Sequence, residues 1–158
     1  MSTNDKYIDK FTIFTDGSAL NNKQEAPAGM AVYIPSHKIL LSKSMFSTNN
    51  QAELEAIRYA LWYFTKKFIN VSIPDNTVYI FSDSQYSINA ITGKWKNLKD
   101  NLPKINVCRN LIHQIDEKGI NVEFIYVKAH TRKKDFVSLN NDIVDQEARR
   151  KATEAQNG

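Results

Sequence analysis

Phe11-Thr12-Ile13-Phe14-Thr15-Asp16-Gly17-Ser18 begins as a β-branched and aromatic run and closes on a turn signal. The run reads as a strand, and Asp16-Gly17-Ser18 reads as its end. Pro27 and Gly29 mark entry to a second strand, Met30 to Ile34. Pro35-Ser36-His37-Lys38 then reads as a hairpin turn into a third, Ile39 to Phe46. These three strands predict an antiparallel meander. Thr48-Asn49-Asn50 supplies an N-cap for a helix from about Gln51 to Phe68, in which Leu54, Ile57, Leu61, Phe64 and Phe68 recur every three or four positions. Val78 to Phe81 is a short buried strand, and Ser82-Asp83-Ser84 opens a helix that Gly93 ends. A further helix runs from Pro103 to Lys118 with Gly119 as its stop, and Val122 to Val127 is a fifth strand. A last helix covers about Asn141 to Thr153. The order β-β-β-α-β-α-α-β-α predicts one mixed sheet covered by helices, an α/β domain over 1–158 with polar tails at 1–10 and 154–158.

A chain of 158 residues is long enough to bury roughly two thirds of its unfolded surface in one core. Lys and Arg number 21 against 17 Asp and Glu, a net charge of +4. A mild basic excess favours polyanions through counterion release, and it also serves solubility. Cys108 is the single cysteine, which excludes an intrachain disulfide and a cysteine-based zinc site; its apolar neighbours place it in a core. No apolar run approaches the ~20 residues of a membrane span, and Met1 to Lys10 carries no secretory core. The expected setting is intracellular and reducing, without membrane attachment.

Four acids stand at element ends: Asp16, Glu53, Asp83 and Asp145. Each has an ordinary explanation. An Asp-Gly pair is commonly a turn, Asp83 is placed to cap a helix, and Asp142 and Asp145 suit a first helical turn. Asp142 and Asp145 share a helix face, so either could join a site. Glu53 is harder to explain away, because it lies beside Leu54 on the inward stripe, whereas Glu55 reads as the ordinary solvated residue. If strands one and four are neighbours, Asp16 and Asp83 come side by side. Carboxylates gathered in this way attract hard divalent cations such as Mg²⁺ and Mn²⁺.

The chain resembles the type 1 ribonucleases H. The matching segments are Phe14 to Ser18, Thr48 to Leu54, Ser82 to Tyr86, Val127 to His130, and Asn141 with Asp145, in the family's order and across nearly the whole chain. The resemblance implies an RNase H-like fold: a five-stranded mixed sheet, three antiparallel strands then two parallel, with helices on both faces. It implies a metal-dependent endoribonuclease that cuts the RNA strand of RNA–DNA hybrids, leaving 5′-phosphate and 3′-hydroxyl ends by a two-metal-ion mechanism. By that match Asp16, Glu53, Asp83 and Asp145 bind two Mg²⁺, for which Mn²⁺ can substitute, and Asn141 belongs to the same Asn-x-x-x-Asp arrangement that selects Asp145 over Asp142. His130 matches a loop histidine that moves protons or aids product release. Asn49, Asn50 and Gln85 match positions facing the minor groove, where the 2′-hydroxyl separates RNA from DNA. Thr48 and Asn106 match positions that hold a DNA-strand phosphate.

The chain also departs from the family. The basic residue that animal members carry two places before the Thr is Phe46 here. Fifteen positions separate His130 from Asp145, more than in bacterial members, and the intervening loop is basic. The bacterial tryptophan-containing protrusion is shortened to a stretch holding Trp95 among Lys94, Lys96 and Lys99; Trp95 either stacks on nucleic acid or packs against the domain. Competing readings are a nucleic-acid-binding module without chemistry, another nuclease of the same superfold, and the nuclease domain of a larger polymerase. The start at Met1 leads us to expect a free-standing monomer of modest processivity and strong salt dependence.

Overall fold

A computed structural model describes residues 3–93, 101–128 and 134–158. Its sheet contains β1 (Phe11–Ala19), β2 (Ala26–Ile34), β3 (Ile39–Ser47), β4 (Thr77–Ser82) and β5 (Asn121–Tyr126), in the order β3-β2-β1-β4-β5. The β1–β2 and β2–β3 pairs are antiparallel, and β1–β4 and β4–β5 are parallel, as the sequence leads one to expect. The helices are α1 (Asn49–Lys67), α2 (Gln85–Ile91), α3 (Leu102–Glu117) and α4 (Phe136–Asn157). Among the described residues no helix is long and apolar enough to cross a membrane.

Alternation along β1 divides the core in two, because successive strand residues face opposite sides of a sheet. Phe11 and Ile13 join Met30, Val32, Ile34, Leu54, Ile57, Leu61, Phe64 and Ile105 on one face, beneath α1 and α3. Phe14 stacks on Phe81 on the other face, with Val144 and Ala148 of α4. Cys108 lies in the first layer, where burial pushes its thiol up to about 12.

Several boundaries differ from the sequence reading, each for a local reason. β1 does not stop at Thr15: Asp16 to Ala19 continue to pair with β2, so the Asp-Gly pair lies within a strand. α4 starts five residues before Asn141, with Asp135 capping Ser138 N–H at 2.9 Å. Asp142 and Asp145 therefore lie beyond the first turn, and the helix-dipole explanation for them falls away. α4 also continues through the 154–158 segment as far as Asn157. Residues 3–10 are docked: Tyr7 meets Tyr79 and Phe81 edge-on at 5.3 and 5.0 Å, and Asp5 accepts from Phe136 N–H at 3.1 Å.

Glu55 is the clearest correction. Its side chain is 5% exposed and paired with Lys43, with Arg58 at 2.7 Å and with Lys104 at 3.1 Å. That side of α1 lies between β3 and α3, each of which supplies a lysine, so it is not a solvent face. Burial alone would raise the Glu55 carboxyl, but the three cations outweigh it and hold it at about 2.

Candidate active site

The β1–β4 ladder decides where the acids meet. Its last paired residues are Phe14 and Phe81, and the Thr15 hydroxyl donates to the Phe81 carbonyl at 2.8 Å. Asp16 and Asp83 each lie two residues further on, Asp16 within β1 and Asp83 just past the end of β4. Connections leave β1 and β4 in opposite directions at this point, which is where ligand crevices form in open α/β sheets. Glu53 arrives from α1, whose N-terminus is fixed by a reciprocal box. Thr48 Oγ1 accepts from Gln51 N–H, and the Gln51 side chain accepts from Thr48 N–H, both at 3.1 Å. Gly17 lets the two elements touch. A Cβ there would lie 2.3 Å from the Ala52 carbonyl carbon and 2.4 Å from Glu53 N.

Oxygens of Asp16, Glu53 and Asp83 all fall within 4.8 Å of one another, with Asp16 and Glu53 buried. Gly17 N–H donates to Asp16 Oδ1 at 2.9 Å and to Glu53 Oε1 at 3.0 Å. Glu53 Oε2 is buried without a hydrogen-bond partner among the described residues. Burial raises the Asp16 carboxyl well above the usual range, and the charges of Asp83 and Asp145 add to this against the hydrogen bond with Glu53. Burial and then Asp16 do the same to Glu53. The orphaned oxygen and the clustered carboxylates fit a divalent cation, whose charge would remove both penalties.

The cluster floors a polar cavity of about 400 Å³ that is also lined by Asn49, Asn50, Ser84, Gln85, Tyr86, Asp145 and Arg149. Asn49 Oδ1 accepts from Ala19 N–H at 3.2 Å, which turns its amide donors away from β1. Ser84, not Asp83, caps α2, accepting from Ser87 N–H at 3.1 Å, so the side chain of Asp83 is not needed as the cap. Asp145 lines the cavity but stands outside the close trio, with Oδ1 3.3 Å from Arg149 Nε. Asp142 is not among the lining residues. Asn141 is buried one turn before Asp145, and its Oδ1 has no partner among the described residues. Asn106 is exposed on α3, away from the cavity lining. His130 and Trp95 lie outside the described residues.

Sequence reasoning missed Gly17 as a packing residue, along with Tyr86 and Arg149. The available signal for Arg149 was its position four residues after Asp145, on the same helical face.

The RNase H family model matches residues 9–153. A ribonuclease H of Neorickettsia sennetsu is 29% identical over 155 residues, covering 95% of this chain and 97% of its own. The ribonuclease HI of Pasteurella multocida is 32% identical over 145 residues, covering 87% and 86%. Among solved structures, LC11-RNase H1 in complex with an RNA/DNA hybrid aligns with a TM-score of 0.73 at 23% identity, over 93% of this chain and 99% of that one. With a match over nearly its whole length and an acidic cluster at the sheet's switch point, the chain belongs to the RNase H family of hydrolytic nucleases.

Proposed function

We propose that this protein hydrolyses the RNA strand of RNA–DNA hybrids as a Mg²⁺-dependent endonuclease, with Asp16, Glu53, Asp83 and Asp145 as the metal ligands and Asn141 beside them. The observation that carries this reading is the trio of oxygens within 4.8 Å, one of whose carboxylates keeps a buried oxygen with no partner among the described residues. Divalent cations held by these carboxylates would supply the Lewis acidity for a water's in-line attack on phosphorus and for the departing 3′-oxygen.

The protein's share is positioning. Gly17 N–H fixes one oxygen of Glu53 and leaves the other to coordinate. β1 holds Asp16 beyond the last β1–β4 pair, and the end of β4 holds Asp83, at a separation set by the parallel ladder. Asn49, Asn50 and Gln85 rim the same cavity with amides that both donate and accept, as recognition of a 2′-hydroxyl beside a cleavable phosphate requires. Thr48 and Asn106 are assigned to a phosphate of the DNA strand, and His130 to proton transfer or product release. The products are 5′-phosphate and 3′-hydroxyl ends.

The test is cleavage of an end-labelled RNA–DNA hybrid beside double-stranded RNA, with Mg²⁺ and with chelator. Hybrid-selective, Mg²⁺-dependent cutting is expected, and equal cutting of both duplexes removes the assigned specificity. Asp16→Asn should abolish cleavage and leave hybrid binding largely intact; retained cleavage would place the site elsewhere.

A further inference from the structure

The fourth carboxylate is held differently from the other three. Asp16, Glu53 and Asp83 approach one another within 4.8 Å, whereas Asp145 lines the same cavity with its Oδ1 3.3 Å from Arg149 Nε. Asp145 still acts on the cluster, since its charge helps to raise the Asp16 carboxyl. Among the described residues lining this cavity, Arg149 is the sole cation. An exposed i,i+4 pair on a helix contributes only ~0.5 kcal/mol to stability, so holding the helix together is a weak reason for its placement. A guanidinium at the mouth of a cavity with four acids has a larger electrostatic effect on the cavity than on the fold.

We infer that Arg149 is the resident counter-ion of Asp145, competing with a divalent cation for that carboxylate and so setting the metal concentration at which the site fills. The inference rests on the metal-site reading above and deepens it by naming what regulates occupancy. A charge count shows why a fixed cation is useful there. Four ionised carboxylates and Arg149 give the cavity a net charge of −3, and two divalent ions bring it to +1, which an incoming phosphodiester neutralises. Without Arg149 the same loaded site has no net charge and attracts the substrate less. Arg149 thus weakens metal binding to the substrate-free protein while favouring the phosphate. It is a positioning residue, acting on the metals through Asp145.

The experiment is Mn²⁺ binding to the substrate-free protein, followed by electron paramagnetic resonance or calorimetry, for wild type, Arg149→Met and Arg149→Lys. Removing the unit charge that lies 3.3 Å from the Asp145 carboxylate should tighten Mn²⁺ binding about three- to tenfold at moderate salt. Arg149→Lys keeps the charge and should stay within about twofold of wild type by the same Coulomb argument. With hybrid present, Arg149→Met should lower the half-saturating Mg²⁺ concentration and raise KM. Arg149 is 56% exposed, so the fold should survive the change, and a thermal melt checks this. In an Asp145→Asn background, Arg149→Met should change Mn²⁺ affinity less than it does in wild type. Equal or weaker Mn²⁺ binding by Arg149→Met overturns the inference, and so does an undiminished effect in the Asp145→Asn background. The two readings fail separately. Wild type that binds Mn²⁺ without cutting hybrids defeats the proposed function alone, and wild type that cuts hybrids beside an Arg149→Met protein of unchanged affinity defeats the counter-ion alone.

Discussion

Gly17→Ala is the substitution that most directly joins the packing of this fold to its chemistry. The added Cβ would meet the Ala52 carbonyl carbon at 2.3 Å, Glu53 N at 2.4 Å and the Ala52 oxygen at 2.6 Å. All three are backbone atoms, so no side chain can rotate out of the way. Ordinary carbon contacts begin near ~3.5 Å, so the first turn of α1 must retreat from β1 by about 1 Å. That retreat stretches the 3.0 Å bond from Gly17 N–H to Glu53 Oε1 towards about 4 Å, beyond hydrogen-bonding range. Overpacking of this kind costs about 1–3 kcal/mol, or about 3–9 °C of melting temperature for a domain of this size. The effect on the reaction should be greater, because a ~1 Å displacement of a positioned group costs on the order of 100-fold in rate. The assay is single-turnover cleavage of a labelled hybrid by folded protein, with a thermal melt and Mn²⁺ binding measured in parallel. Gly93→Ala is the control: Gly93 has φ +82° and nothing within 4 Å of a built Cβ. Left-handed strain there costs about 1–2 kcal/mol and leaves the cluster untouched. Gly17→Ala that stays folded and cuts within twofold of wild type would refute the reasoning, as would an equal loss of rate in Gly93→Ala.

Two further predictions concern charges that the fold treats in opposite ways. Glu55 is held at about 2, below its ordinary 4.5, so its contribution is fully present above pH 4.5 and is lost as pH falls towards 2. The full difference is worth about 3 kcal/mol; Lys43 is 43% exposed, so solvent screening reduces it to about 1–2 kcal/mol. Urea unfolding at pH 7, 4.5 and 3 should show Glu55→Gln less stable than wild type at pH 7 and converging on it at pH 3, and parallel curves would contradict the account. Asp16 runs the other way, since its ionised form is buried among acids. Asp16→Asn should raise the melting temperature of metal-free protein at pH 7 by about 3–6 °C, equivalent to about 1–2 kcal/mol, and should remove most of the shift that Mg²⁺ gives wild type. A lower melting temperature for the variant would mean that Asp16 is structurally satisfied without metal.

Element order and the antiparallel meander were legible in the chain because they follow from periodicity and a few turn residues. The nearness of Asp16 to Asp83 was conditional on strands one and four being neighbours, which the family resemblance implied. β1 and β4 are buried almost throughout, as strands covered on both faces are, and their parallel pairing brings Asp16 and Asp83 together. What escaped reading depends on contacts between elements remote in sequence. Asp16-Gly17 looks like a turn locally, but the register with β2 carries the strand through it. The same Gly is there because α1 lies against it, a fact held in residues 52 and 53 and not in the dipeptide. Glu53 and Glu55 both flank Leu54 on one helix, and the inward stripe that marked Glu53 gave no sign that Glu55 is buried too. One ended among three cations and the other among carboxylates because β3 and α3 flank one side of α1 while β1 meets the other. The start of α4 was misplaced because Asp135, its cap, follows a basic stretch with no apolar period to announce a helix.

The contrast between Glu53 and Glu55 also indicates which of the two was kept for chemistry. A buried carboxylate is stable when surrounded by donors, and Glu55 shows that this fold can supply them. Among the described residues Glu53 receives one backbone N–H on one oxygen, none on the other, and has two carboxylates nearby. Replacing it with an amide or an apolar side chain would relieve repulsion at little structural cost, so packing cannot be the reason it is an acid. Among the described residues nothing supplies the missing partner, and a bound cation would. The carboxylate chemistry of the cluster fits a hard cation in that place, and the amide-rimmed cavity above it is what the proposed hybrid cleavage calls for.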